Sequence, residues 1–69
     1  MKKKIYIEGM SCQHCVNHVT EALKEIPGVK TVDVDLKGKY AIVEADRQID
    51  DGEIKNAIEE AGYEVVKIE

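Results

Sequence analysis

Between Lys4 and Glu8 the chain alternates charged or amphipathic residues with Ile5 and Ile7, the period of two that predicts a strand with one buried face. Gly9 breaks the pattern. From about Gln13 the apolar positions are Val16, Val19, Leu23 and Ile26, with Ala22 beside them, a helical stripe that Pro27-Gly28 ends abruptly. Val32, Val34 and Leu36 then alternate with Thr31, Asp33 and Asp35, and Lys37-Gly38 turns the chain into a third strand, Tyr40 to Ala45. Apolar residues occupy both faces of that strand, and Ala41, Val43 and Ala45 are expected to point inward.

Asp50, with Glu53 three residues later, reads as a helix N-cap with a capping box, and Ile49 and Ile54 stand where a hydrophobic staple belongs. Ile54, Ala57, Ile58 and Ala61 give this second helix its buried stripe, Gly62 is a natural left-handed terminator, and Glu64 to Ile68 is a last short strand. The order predicts an α+β fold, a ferredoxin-like βαββαβ sandwich whose four-stranded antiparallel sheet carries two helices on one face. The two middle strands form a hairpin, and strands joined across a helix are expected to pair in parallel through right-handed crossovers. With no repeat, linker or low-complexity segment, residues 1–69 leave room for one domain.

A domain of that size buries only about 60% of the surface its unfolded chain exposes, so its core has to be compact. With neither Trp nor Phe, packing rests on Val, Ile, Leu and Ala. Hydrophobic residues at 43% and charged residues at 35% suit a soluble globular chain, and they exclude a disordered or membrane-inserted one. The net charge of −4 argues against nucleic acid as a partner, which requires Lys and Arg to neutralise phosphates. The one basic run, Lys2 to Lys4, is not followed by the apolar stretch of a signal peptide, which places the chain in the cytoplasm.

In a reducing cytosol the two cysteines, Cys12 and Cys15, are expected as thiols, and a bridge between them would close too short a loop to stabilise much. They lie between the first strand and the first helix, Cys15 in the first turn and Cys12 just ahead of it. Unpaired N–H groups and the positive end of the helix dipole favour thiolate there, which prepares both sulfurs for metal. Two thiolates do not complete the tetrahedron of structural zinc, and no second pair exists to complete it. Soft sulfur and a low coordination number point to Cu(I). The bare spacing also fits two small buried residues or a damaged zinc finger.

The segment Gly9-Met10-Ser11-Cys12-Gln13-His14-Cys15 resembles the GMxCxxC signature of the heavy-metal-associated domain family, and the resemblance continues through Pro27-Gly28-Val29 to Gly62-Tyr63. The family comprises small copper chaperones and the N-terminal domains of metal-transporting P-type ATPases. It implies Cys12 and Cys15 as metal ligands. An acidic residue before the first cysteine goes with zinc or cadmium in this family, and here that residue is Ser11. The Gln-His pair is similar to that of bacterial copper chaperones, as are the two ends of the chain.

The resemblance also implies supporting roles. His14 tunes cysteine basicity or ligates when two molecules share copper; the plain alternative is a solvated loop residue. Tyr63 is expected close to the cysteines because the turn after the second helix and the turn after the first strand should lie at one end of the sheet. In the resembling chaperones a Tyr at this point packs near the metal; the plain alternative is core packing. Met10 is read as a core plug beneath the site, and His18, one turn from His14, as a surface residue. The implied partner is the CxxC domain of a copper-transporting P-type ATPase or a copper-responsive repressor, with a monomeric apo chain and a copper-bridged dimer at high concentration. Three rivals remain: an ATPase domain, a mercury- or zinc-binding relative, and an enzyme, a CxxC thiol-disulfide oxidoreductase, which would need a longer chain and a proline facing the motif. Asp33, Asp35, Glu59, Glu60 and Glu64 are acidic stretches that either are solvated or steer a basic partner.

Overall fold

The computed structural model describes residues 1–69. β1 (Lys2–Glu8) leads into α1 (Gln13–Lys24), followed by β2 (Val29–Asp35), β3 (Tyr40–Ala45), α2 (Asp51–Glu60) and β4 (Glu64–Ile68). The βαββαβ order read from the hydrophobic pattern is the order of the fold. The strands form one sheet in the order β2-β3-β1-β4, and every pairing in it is antiparallel.

The expectation that strands joined across a helix pair in parallel is therefore wrong. β3 lies between β1 and β2, and β1 lies between β3 and β4. Burial explains the exchange. Ile5 and Ile7 of β1 and Ala41, Val43 and Ala45 of β3 are buried, whereas Val32 and Val34 of β2 and Val65 and Ile68 of β4 remain partly exposed. The two strands with fully apolar inner faces pair at the centre, Ile5 opposite Ala41, and each helical crossover skips one strand position.

Val19 and Leu23 of α1 and Ile54 and Ile58 of α2 close over that inner face with no exposed surface, in one core cluster. Each such side chain contributes about 1.5–3 kcal/mol through burial. β1 begins two residues earlier than its apolar alternation does, because Lys2 and Lys3 pair through their backbones with Glu44 and Val43, which needs no apolar side chain. Leu36 falls in the turn after β2 rather than in the strand.

The capping box before α2 does not form. Asp50 is the N-cap, with extended backbone, but its side chain makes no capping hydrogen bond. Glu53 instead accepts from Arg47 Nη2 at 3.0 Å, and Arg47 also donates through Nε to the Pro27 carbonyl at 2.7 Å and through Nη1 to the Gln48 carbonyl at 3.0 Å. A charge-assisted pair with Arg47 wins over a bond to a backbone amide. The C-terminal end matches expectation: Gly62 has φ +98, the Tyr63 N–H donates to the Ile58 carbonyl at 3.1 Å and the Gly62 N–H to the Glu59 carbonyl at 3.0 Å, the double bond of a Schellman motif.

Candidate metal centre

Residues 9–12 join β1 to α1. Gly9 has φ +100, a conformation open to glycine, and a Cβ there would stand 3.4 Å from Cδ1 of Tyr63. The turn after β1 and the turn after α2 thus meet at one end of the sheet. Cys12 is the N-cap of α1, at φ −158 and ψ 173, and its thiol makes no capping bond. Its carbonyl accepts the N–H groups of Cys15 at 3.1 Å and Val16 at 3.3 Å, which starts the helix and leaves the sulfur free.

Cys12 Sγ and Cys15 Sγ are 3.5 Å apart, and both are free thiols. Cys12 is exposed, while Cys15 is half-buried and packs against the core. The Cys15 thiol is lowered from the ordinary 9.0 to about 6, first by backbone hydrogen bonding from Ser11, then by the Tyr63 hydroxyl and the Cys12 side chain, with burial opposing. Tyr63 is shifted the other way, upward, chiefly because its hydroxyl hydrogen-bonds Cys15, so it stays a protonated donor beside that sulfur. These hydrogen bonds favour the thiolate form of Cys15 at neutral pH.

Of the other residues singled out in the sequence, Ser11 is exposed and places its Oγ 3.9 Å from Cys15 Sγ. Met10 is only 7% exposed and belongs to the core cluster, which commits its thioether to packing. His14 and His18 are exposed on the first turns of α1. No group of three or more His, Cys, Asp or Glu side chains gathers to hold an ion, so the cysteine pair stands without a third protein donor. Gly9 reads in the sequence as a pattern break and as the first residue of the signature; the meeting of the turns after β1 and after α2 is as the element order predicts, and what the fold adds is that Gly9 itself, at φ +100, stands against the Tyr63 ring.

With metal–sulfur bonds of ~2.3 Å, two sulfurs lie ~3.8 Å apart across a tetrahedral ion and ~4.6 Å across a linear one. The present 3.5 Å is short of both. Cys12, exposed and outside the helical ladder, is the side chain able to swing outward, while core packing holds Cys15 in place.

Residues 4–64 match the model of the heavy-metal-associated domain. The chain belongs to that family. As a heavy-metal-associated domain it is similar to the copper chaperone CopZ of Enterococcus hirae, with 45% identity over 65 residues that cover 93% of this chain and 94% of the relative. Among solved structures it is similar to a CopZ metallochaperone, at 39% identity and TM-score 0.89, covering 96% of this chain and 100% of the other. It is also similar to a copper binding domain from a P-type ATPase, at 34% identity and TM-score 0.86, covering 100% and 99%. No helix of this heavy-metal-associated domain is long and apolar enough to cross a membrane.

Proposed function

We propose that residues 1–69 act as one heavy-metal-associated domain, a cytoplasmic copper chaperone that binds Cu(I) through Cys12 and Cys15. It passes the ion by thiolate exchange to the CxxC domain of a copper-transporting P-type ATPase or to a copper-responsive repressor. The observation that carries this reading is the pair of sulfurs 3.5 Å apart at the start of α1, Cys12 exposed and Cys15 half-buried, with no third protein donor. Two thiolates suit a soft ion of low coordination number. The open side of the loop admits an incoming thiolate, which a closed four-ligand zinc site would refuse.

The two sulfurs take different parts. Cys15, already ionised near neutrality and fixed against the core, is the retained ligand, and exposed Cys12 is the ligand that a partner displaces. Ser11 and Tyr63 stabilise the Cys15 thiolate, and Met10 supports the loop from below. His14 is an exposed neighbour whose contribution arises when two loops share one ion at high concentration.

The likeness to an ATPase domain supports a second reading, in which the chain performs the receiving role in the same exchange. A thiol-disulfide enzyme is disfavoured because the one proline, Pro27, lies beyond the far end of α1, a helix length of ~18 Å from the pair. The test is an anaerobic Cu(I) titration against a competing chelator, repeated with Zn(II). One tightly held Cu(I) per chain is expected, lost in Cys12→Ser and in Cys15→Ser while both variants stay folded. Wild-type affinity in either variant, or preference for Zn(II), defeats the reading.

A further inference from the structure

Apart from the thiol pair, the chain keeps its only imidazoles together on the first turns of α1. His14 and His18 are its two histidines, they stand four residues apart, and both are exposed. Val16, Val19 and Leu23 mark the buried side of this helix. At about 3.6 residues per turn, His14, His18 and Glu21 fall together on the opposite side, away from the core. Cys15, between the two histidines in the chain, turns instead toward the core and the Tyr63 hydroxyl.

A spacing of four sets two side chains one above the other, with Cβ atoms ~5–6 Å apart. This part of α1 holds that register. Gln13 Nε2 donates to Asn17 Oδ1 at 3.3 Å across the same interval, one residue earlier. The Cys12 carbonyl accepts from both Cys15 and Val16, so the helix is regular from its first turn. None of the side-chain hydrogen bonds of the chain uses an imidazole, and no ion pair involves His14, His18 or Glu21. Both rings are free to turn toward a shared ligand.

We propose that His14 and His18 form a two-point site for a borderline divalent cation such as Zn(II), on the outer side of α1 and separate from the thiol pair. Imidazole nitrogen suits Zn(II) and its neighbours, whereas the thiolates select a softer ion. With metal–nitrogen bonds of ~2.0–2.1 Å, two ring nitrogens stand ~3.3 Å apart across a tetrahedral ion. Rings rooted ~5–6 Å apart on one helix face close to that separation, and two histidines at this spacing hold zinc in helical H-E-x-x-H sites. Glu21, three residues after His18, is the carboxylate placed to accept the other ring N–H of His18, the contact that fixes the tautomer of a liganding histidine.

No third His, Cys, Asp or Glu joins the pair, so water fills the remaining positions and the ion is exchangeable. A bound ion ties the first turns of α1, the element that carries Cys15, and adds stability by mass action. The chain then sorts two ions by donor softness, one on sulfur and one on imidazole.

The full-length Cys12→Ser/Cys15→Ser double variant removes the sulfur donors and is titrated with Zn(II) from about 1 µM to about 1 mM. One saturable site is expected, with the ring nitrogen shifts of His14 and His18 moving together in NMR and the thermal midpoint rising as Zn(II) is added. Adding His18→Gln is expected to weaken binding about tenfold or more and to remove the rise in midpoint. Circular dichroism checks that these variants fold, and wild-type chain with both thiols alkylated by iodoacetamide repeats the titration without a substitution. In the otherwise wild-type chain, His18→Gln is expected to leave Cu(I) affinity unchanged. Zn(II) that moves neither ring, Zn(II) that moves one ring alone, or affinity that survives His18→Gln overturns the proposal. So does a His18→Gln variant with weakened Cu(I) binding, which would make this histidine part of the thiol site.

Discussion

Cys12 and Cys15 have the same chemistry and different surroundings, and the difference is what a variant will read. Cys15 owes its depressed pKa to Ser11, Tyr63 and Cys12 in that order. Its pKa of about 6 against an ordinary 9.0 means that the folded chain releases this proton before the unfolded chain does. Ionised Cys15 therefore adds stability that is full above the unfolded value and is lost as the pH falls through about 6. Apo wild-type stability minus that of Cys15→Ser is expected to grow between those two pH values, measured by urea unfolding under reducing conditions. Tyr63→Phe removes one donor and keeps the ring, so the Cys15 midpoint, followed by the Cβ carbon shift in NMR, is expected to move up. A midpoint that stays put would reduce Tyr63 to packing. Metal affinity should follow the same proton competition, rising with pH through the Cys15 midpoint.

At the scale of elements, the informative positions are those where the backbone is unusual. Gly62 closes α2 at φ +98, and a Cβ there would meet nothing within 4 Å, so Gly62→Ala is penalised through the backbone alone, by about 1–2 kcal/mol. Lys39 closes the β2–β3 hairpin at φ 60, a left-handed non-glycine residue whose carbonyl accepts the Ile7 N–H at 2.9 Å. Lys39→Gly relieves the strain and adds unfolded-state freedom, a net gain of roughly 0.5 kcal/mol. Opposite shifts in the urea midpoint at unchanged slope are expected; a Lys39→Gly variant less stable than wild type would show that its side chain matters more than its backbone. Gly62 was legible in the sequence because a glycine after an apolar helical stripe has one common use, whereas nothing about a lysine in a polar turn announces a positive φ. The same contrast governs the rest. Ile5 and Ile7 could be assigned to the core from alternation, since the period of a strand fixes its faces, whereas β3, apolar on both faces, gives Ala41 and Val43 no such contrast. Strand neighbours could not be read that way, because pairing depends on which inner faces are most apolar across the whole sheet. Asp50 and Glu53 had the right spacing for a capping box, but Arg47 lies close enough in the fold to take the glutamate. The cysteine pair was readable from its local motif and helix start, and the element order already put the turns after β1 and after α2 at one end of the sheet, while the contact of Tyr63 with Gly9, 54 residues earlier, rests on how closely those turns pack.

Across the whole molecule, the core and the candidate site are built from different residues, and that separation makes transfer testable. Ile5, Val19, Leu23, Ile54 and Ile58 are fully buried without help from the metal loop, so the apo chain keeps its fold while it waits for an ion. The site end is a rigid frame with one adjustable sulfur, Cys12, which can move out as an incoming thiolate moves in. In the proposed exchange the ion is shared by three sulfurs, two from one protein and one from the other, each metal–sulfur bond that breaks is preceded by one that forms, and no free ion enters solution. Because donor and acceptor offer the same pair of thiolates, the equilibrium constant for transfer is expected near one, and the open loop makes the exchange fast. Copper-loaded chain mixed with an apo CxxC domain of a copper ATPase, followed by NMR of both proteins, should reach that equilibrium at the same rate with and without a strong external Cu(I) chelator present during mixing. The Tyr63→Phe variant should lose copper to the chelator faster while exchanging with the partner at a similar rate, since the hydroxyl steadies the Cys15 thiolate when no partner covers the loop. If the chelator intercepts all the copper before it reaches the second protein, the ion is released into water first, and the chain is a copper store rather than a carrier.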